Sequence, residues 1–202
     1  QILSLLKRDW YGFRKHIIVY LALWILIPVI IHLLLAIPLS RIISLEVRYL
    51  NWAAAGIWVS SAGMVAFLES ALRAHKINYE TGQIDVILQS PISNLELLTV
   101  LLLRGVIFGF IQFVFAIIIT CTLNHEYLGT LSILMIIIQI MSFILFFSVL
   151  GILMGLLISN RTIFFQLSLA LFIILSLGMG AFIPITSYPE SYLAIINKIP
   201  LF

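Results

Sequence analysis

Residues 128–158 read LGTLSILMIIIQIMSFILFFSVLGILMGLLI, a run of 31 residues without Asp, Glu, Lys or Arg. A helix needs roughly 20 apolar residues, at about 1.5 Å each, to cross a hydrocarbon core about 30 Å thick. The run is longer than that, so it predicts a helix that tilts in the bilayer or projects beyond it. This stretch is typical of an integral membrane protein.

Composition extends that conclusion to the whole chain. Of its 202 residues, 63% are hydrophobic and 9% are charged, and the mean hydropathy is +1.21. A soluble domain is about 45–50% apolar and about 25% charged, because its surface needs a polar coat. Disordered chains are poor in apolar residues. The composition therefore excludes both a soluble domain and a disordered chain.

Five stretches qualify as membrane spans and predict an all-α, polytopic helical bundle forming one transmembrane domain over residues 1–202. They cover residues 17–37, 52–72, 97–123, 128–158 and 162–183. Basic residues in short loops favour the cytoplasmic side. With a cytoplasmic amino terminus, seven basic residues lie inside and three outside. We expect a longer native polypeptide with a sixth span, since the chain begins with Gln1 and ends soon after the fifth.

The sequence lacks the residues that nucleic-acid binding, disulfide formation and the common catalytic and metal sites require. No basic run is longer than two residues, so no nucleic-acid partner is expected. Cys121 is the single cysteine, which excludes an intrachain disulfide. The sequence has no phosphate-binding loop, nucleophile elbow or paired metal-binding histidines. We therefore expect no enzymatic activity and no cofactor on this chain.

Residues 1–16 predict an amphipathic helix in the inner membrane interface. Leu3, Leu6, Trp10 and Phe13 recur at three- and four-residue spacing among four basic residues, a pattern typical of interfacial helices. The alternative is a solvated cytoplasmic tail.

The most polar internal segment, residues 73–96, predicts a short helix followed by a stop and a new helix start. Ile84, Ile87 and Leu88 share one helical face, and Glu80 and Gln83 lie on or near the other. Pro91 ends this helix, and residues 93–96 (Ser-Asn-Leu-Glu) match a capping box for the next span. The segment is typical of an element that receives a partner.

Prolines interrupt the chain again after the fifth span. Residues 184–202 are too short to cross a bilayer, and they predict a re-entrant hairpin on the outer side, with an ordinary loop as the alternative. 

Charges and small residues inside the spans predict helix contacts. Glu69 and Arg104 could form an interhelical ion pair, although Arg104 could instead extend toward the head groups and Glu69 could pair with Arg73 on its own helix. His32 is expected to pack as a neutral side chain against a neighbouring helix. Two small-residue motifs, at residues 105–109 and 151–155, predict close packing within the chain.

In this order the features resemble the permease subunit of the type-2 ABC exporter family, across essentially the whole chain. The matching elements are an elbow helix at residues 3–16, the entry into the second span at 51–56, the polar segment 73–96, here called the connector, and the outer region from Gly180 to Pro200. Within the connector, the matching residues are Glu80, Gly82, Ile87, Leu88, Ser90, Pro91, Ile92, Ser93, Glu96 and Leu97. Ala55 stands where many members of the family have proline.

The resemblance implies a subunit of the plasma (inner) membrane with two kinds of partner. A second permease subunit, identical or related, would complete the substrate path along the first, second and fifth spans. Each permease would sit on an ABC ATP-binding subunit that carries ATP and Mg. The residues implied in coupling to that subunit are Tyr79, Glu80, Gly82, Gln83, Ile84, Ile87, Leu88 and Pro91. 

The implied cargo is a drug-like molecule, a lipid or a lipid-linked glycan. A haem-export-type permease is an alternative within the family. Outside it, the alternatives are a non-transporting membrane scaffold or assembly subunit and an intramembrane enzyme, for which the spans offer few converging polar residues.

Overall fold

The computed structural model describes residues 2–43, 49–80, 92–124, 130–178 and 181–183. Within these ranges every regular element is helical, as the sequence predicts. The α-helices are α1 (Ile2–Lys15), α2 (Ile17–Ile31), α3 (Ile37–Leu39), α4 (Tyr49–His75), α5 (Asn94–Asn124), α6 (Thr130–Leu157) and α7 (Arg161–Gly178). Two π-helical turns, His32–Ala36 and Lys76–Glu80, join α2 to α3 and extend α4.

Four helices are long and apolar enough to cross a membrane, so the chain is a multi-pass membrane protein. They are Ile17–Leu39, Tyr49–Tyr79, Asn94–Asn124 and Leu134–Leu157. These correspond to the first four predicted spans, although the second is longer at both ends than the predicted 52–72. The described apolar part of α7, Arg161–Leu171, is shorter than a full span.

The end of the fifth predicted span is not helical. Helix α7 ends at Gly178, and residues 181–183 form a bend. Phe182 is buried against Ala53 and Ile57 of α4, and the Tyr49 hydroxyl donates a hydrogen bond to its carbonyl at 2.6 Å. Non-helical backbone is tolerated at membrane depth where protein satisfies its polar groups. These contacts with α4 replace the last helical turns that the apolar pattern predicts.

Helix α4 is the centre of the bundle and lies in backbone contact with α6. A Cβ atom added to Gly151 would meet the Phe67 carbonyl oxygen, and one added to Gly155 would meet that of Ala71. Glycine is required at both positions because nothing larger fits between the two backbones. The prediction that residues 151–155 pack closely within the chain is confirmed.

Helix α4 also packs closely against α5 on its other side. A Cβ atom on Gly105 would collide with the Ser70 hydroxyl, and one on Gly109 would lie 2.7 Å from the Ala66 Cβ. Farther along the same pair of helices, the Trp58 indole N–H donates to the Thr120 hydroxyl at 2.6 Å. The prediction for residues 105–109 is therefore also confirmed.

Proline 28 explains a polar contact between α2 and α5. Pro28 lies inside α2 and has no backbone N–H, so the carbonyl of Trp24, four residues earlier, lacks its helical donor. Gln112 of α5 is fully buried, and its Nε2 donates to this carbonyl at 3.1 Å. In hydrocarbon a backbone carbonyl must find a partner within the protein, and Gln112 supplies it.

We expect Gly151→Ala to lower the free energy of unfolding by about 1–3 kcal/mol, because the atoms nearest to the added methyl group are backbone atoms of Phe67 in α4. Gly12→Ala is the matched control, since a Cβ atom there has no neighbour within 4 Å and Ala favours helix over Gly. Circular dichroism during unfolding by SDS in mixed micelles measures the free energy of unfolding of both variants. Equal stability of the two variants would contradict the close approach of α4 and α6.

Candidate functional site

Four charged side chains from three helices meet where α1 packs against α4 and α5. Arg73 Nη2 lies 2.6 Å from Asp9 Oδ1, and Arg104 Nη1 lies 3.2 Å from Asp9 Oδ2. Arg104 Nη2 lies 2.7 Å from Glu69 Oε2. All four side chains are largely buried. We call Asp9, Glu69, Arg73 and Arg104 the charged cluster; it contains two positive and two negative charges.

The structure brings Glu69 and Arg104 together across the α4–α5 contact. Arg104 donates to the same carboxylate oxygen through Nε, at 2.9 Å, and through Nη2. Arg73 pairs with Asp9 of α1 and not with Glu69 on its own helix. The pairing follows from the close approach of Gly105 to Ser70, since each neighbours one of the paired residues in sequence.

Asp9 is the member of the cluster that sequence reasoning missed. It is the single acidic residue of α1, which also carries four basic residues. The sequence offered one signal for it, a single acidic residue among basic ones. Its partners lie on α4 and α5, however, and no local sequence pattern identifies them. Asp9 balances the second arginine, and an unbalanced charge at this level of burial would be costly.

Aromatic side chains beside the cluster hold α1 on the bundle. Phe13 of α1 is buried, and its ring lies 5.2 Å from that of Phe108 on α5 and 5.0 Å from that of Tyr20 on α2. The Arg104 guanidinium lies 5.3 Å from the centre of the Phe108 ring, in cation–π geometry. Residues 2–15 are helical, as α1, and Phe13 is turned into the protein, whereas Trp10 is 57% exposed. That α1 lies in the membrane interface stays a prediction.

The charged cluster lies one hydrocarbon thickness from the opposite end of the bundle. Glu69 follows Tyr49 by 20 residues, and Arg104 precedes Asn124 by 20 residues, which is about 30 Å of helix in each case. At that far end Asn124 Nδ2 donates to the Leu50 carbonyl at 3.1 Å. The spacing fits a hydrocarbon core that begins at the cluster and ends near Tyr49 and Asn124.

Helices α4 and α5 continue from Glu69 and Arg104 as a packed extension, residues 69–80 and 94–104. At 1.5 Å per residue it reaches about 15 Å beyond these two residues. Its core contains Ala74, Ile77, Leu97 and Leu101, which pack with Ile152 of α6. We call these two segments the extension.

Hydrogen bonds join the extension to the end of α6. The Tyr79 hydroxyl donates to the Leu156 carbonyl at 2.6 Å, and Asn78 Nδ2 donates to the same oxygen at 3.3 Å. The His75 ring stacks on Phe164 of α7 at 4.8 Å. Carbonyls in the last turn of a helix lack helical donors. Asn78 and Tyr79 supply donors to the Leu156 carbonyl.

The capping box at the start of α5 is confirmed. The Ser93 backbone N–H donates to Glu96 Oε2 at 2.9 Å, and the Glu96 backbone N–H donates to Ser93 Oγ at 3.2 Å. This reciprocal pair satisfies two of the free donors at a helix start. It begins α5 at Asn94, three residues before the predicted span.

The predicted coupling residues lie mostly outside the described part of the chain. Tyr79 and the backbone of Glu80 belong to the π-helical turn that continues α4. Residues 73–80 are therefore helix, and the connector between α4 and α5 is shorter than the predicted 73–96. The coupling residues outside the described ranges are Gly82, Gln83, Ile84, Ile87, Leu88 and Pro91. The predicted outer hairpin, 184–202, also lies outside them.

His32 is buried at 4% exposure in the π-helical turn after α2. Its Nδ1 has no hydrogen-bond partner among the residues that the structure describes. Across the same residues, no group of three or more His, Cys, Asp or Glu side chains is placed to hold a metal ion.

No protein-family model, curated protein or solved structure matches the chain.

We expect Arg104→Glu to destabilise the fold by about 2–3 kcal/mol. Removing one partner of a fully buried pair costs about 3–5 kcal/mol, and this pair keeps some exposure. Adding Glu69→Arg restores part of the loss but not all, because the carboxylate at position 104 still faces Asp9. Unfolding in mixed micelles measures the stability of the unmodified chain, Arg104→Glu and the double variant. Arg41→Glu, at an exposed position, is the control. Complete recovery in the double variant would contradict the contact with Asp9.

We expect Tyr79→Phe to lower stability by about 1 kcal/mol, because it removes one of two hydrogen bonds to the Leu156 carbonyl. Tyr11→Phe, at an exposed position of α1, is the control. Hydrogen exchange of the last turn of α6 provides a local readout and should rise in the first variant alone. Unchanged exchange there would contradict the assigned contact.

Proposed function

We propose that the chain is the membrane-spanning permease subunit of an ATP-driven exporter of the type-2 ABC family. It pairs with a second permease, identical or related, to form the path for a drug-like, lipid or lipid-linked glycan substrate. ATP and Mg bind to a separate ATP-binding subunit. The amino terminus lies in the cytoplasm and the subunit in the plasma (inner) membrane.

The extension is the observation that carries this proposal. Helices α4 and α5 project about 15 Å beyond Glu69 and Arg104, and the polar connector, residues 81–93, links them in sequence. The packing of the extension and its hydrogen bonds to α6 make the extension stiff. A force applied to the connector would therefore reach the spans as a movement of whole helices, as coupling to a soluble motor requires.

The surface of the extension supports a protein partner outside the hydrocarbon core. Leu95 is 76% exposed, and Leu98, three residues later on α5, is 41% exposed. Both precede Arg104, so they lie on the part of α5 that continues past the cluster. Exposed apolar side chains there have no lipid to cover them, and they mark a surface for protein contact.

Charge distribution supports a cytoplasmic position for this end. The contacts between Asp9 and Arg73 and between His75 and Phe164 place the amino terminus, the end of α4 and the start of α7 together. Seven basic residues belong to these segments: Lys7, Arg8, Arg14, Lys15, Arg73, Lys76 and Arg161. An excess of Lys and Arg in short segments favours the cytoplasmic face.

The test is whether ATP hydrolysis by a co-purified subunit depends on the connector and on Glu80, the residue that precedes it. We expect Glu80→Arg or Gly82→Pro to lower the recovery of an ATP-binding subunit from native membranes at least tenfold, and to abolish ATPase activity that depends on this chain. Charge reversal would disrupt a polar contact with the motor, and proline would break the helix that the sequence predicts for the connector.

Arg41→Glu is the matched control, since it reverses an exposed charge outside the extension and the connector. Recovery of ATPase activity with the control and not with the connector variants supports the proposal. Full recovery with Glu80→Arg and Gly82→Pro would show that the connector does not couple. Absence of any ATPase with the unmodified chain would favour the scaffold hypothesis.

A further inference from the structure

A polar cavity of about 460 Å³ opens between α1 and the helices α2, α4 and α5. Its basic lining residues are Arg8, Lys15, Arg73, Lys76 and Arg104, and its carboxylates are those of Asp9 and Glu69. Arg73 and Arg104 are neutralised by these two carboxylates, so the charged cluster adds no net charge to the cavity. The positive charge that remains on α1 is that of Arg8 and Lys15.

Arg8 and Lys15 lie on one face of α1, with Gly12 between them. Helix positions three and four residues apart share a face, and all three residues line the cavity. A Cβ atom added to Gly12 would have no neighbour within 4 Å, so the two cations flank a position with no side chain and open space above it. Neither cation forms an ion pair with any residue that the structure describes.

The cavity extends from the charged cluster toward the end of α4. Lys76, which also lines it, follows Glu69 by seven residues, or about 10 Å of helix. A hydrocarbon core that begins at Glu69 and Arg104 therefore leaves this part of the cavity outside the hydrocarbon. Both a lipid head group and a soluble anion can reach a site there.

Phosphate oxygens suit this pair of cations. A phosphomonoester carries about −1.5 to −2 charges at neutral pH, and Arg8 and Lys15 together match that charge. Arginine binds two phosphate oxygens through its planar set of N–H donors, and lysine binds phosphate as a point charge. A single carboxylate would leave one of the two cations without a counter-charge.

We propose that this cavity binds one phosphomonoester group, carried by a lipid of the phosphatidic acid type or by a soluble phosphate ester. The phosphate lies over Gly12, between Arg8 and Lys15. The cations that bind it are distinct from the arginines already paired within the charged cluster. This inference does not depend on the proposed transport function.

Native mass spectrometry of the full chain in neutral detergent tests the lipid source. Phosphatidic acid and phosphatidylcholine with the same acyl chains are added at equal concentrations, and the bound lipid is counted. We expect phosphatidic acid to bind roughly 25-fold more tightly, at about fivefold for each of the two basic residues. Equilibrium dialysis with glycerol 3-phosphate tests the soluble source. Binding of phosphatidic acid alone assigns the site to a lipid, and binding of both ligands assigns it to the phosphate group itself.

The double variant Arg8→Gln/Lys15→Gln should abolish the preference for phosphatidic acid. Lys7→Gln/Arg14→Gln is the matched control, because it removes the same two charges from α1 at the same seven-residue spacing. Neither Lys7 nor Arg14 lines the polar cavity, and Lys7 lines a separate apolar cavity beside Trp10. The control should keep the preference within about twofold.

Gly12→Leu separates binding in the cavity from attraction by charge alone. It leaves every charge in place and fills the space between Arg8 and Lys15, and leucine favours helix over glycine. We expect it to weaken the binding of phosphatidic acid at least tenfold. Unfolding by SDS in mixed micelles checks that each variant keeps its fold.

Three outcomes would overturn the proposal. Equal binding of phosphatidic acid and phosphatidylcholine, with no binding of glycerol 3-phosphate, would show that the cavity does not select a phosphomonoester. An equal loss in the two double variants would show diffuse attraction to a basic helix. Unchanged binding in Gly12→Leu would show that the ligand lies elsewhere.

Discussion

The close approach of α4 to α5 and α6 is the constraint on which the other contacts depend. Apolar surface gains little by leaving lipid, so membrane helices associate through van der Waals contact and hydrogen bonds between them. Gly105 and Gly151 admit the backbone or short side chains of α4 directly. Gly56 does the same for the Ala181 carbonyl at the other end of the helix. Helix α4 is therefore enclosed on three sides by partners that leave no room for a larger residue.

The charged cluster depends on the close contact between α4 and α5. Because Gly105 lies against Ser70, the neighbouring Arg104 and Glu69 meet at hydrogen-bond distance. Arg73, one helical turn after Glu69, then faces α1 and pairs with Asp9. The ion pairs and the burial of Phe13 hold α1 to the bundle by two different forces. One is electrostatic and the other is packing.

Local signals predicted much of this fold. Apolar length predicted five spans, and four of them are helices long enough to cross a membrane. The Ser93–Glu96 spacing predicted the start of α5. The Glu69–Arg104 contact was one of three alternatives, because the sequence shows where charges lie along each helix and not how the helices face one another. The α7 prediction extended too far because apolar residues after Gly178 pack on α4 without being helical.

The sequence by itself determined that the chain lives in a bilayer, that it is helical and where its small residues and charges are placed. These are properties of length, composition and spacing, and each is readable within one segment. Tertiary structure alone decided which partners meet: Asp9 with Arg73, 64 positions apart, and Gln112 with the Trp24 carbonyl, 88 positions apart. A polar group in hydrocarbon must find a partner, but only the packing of helices in space selects the one within reach.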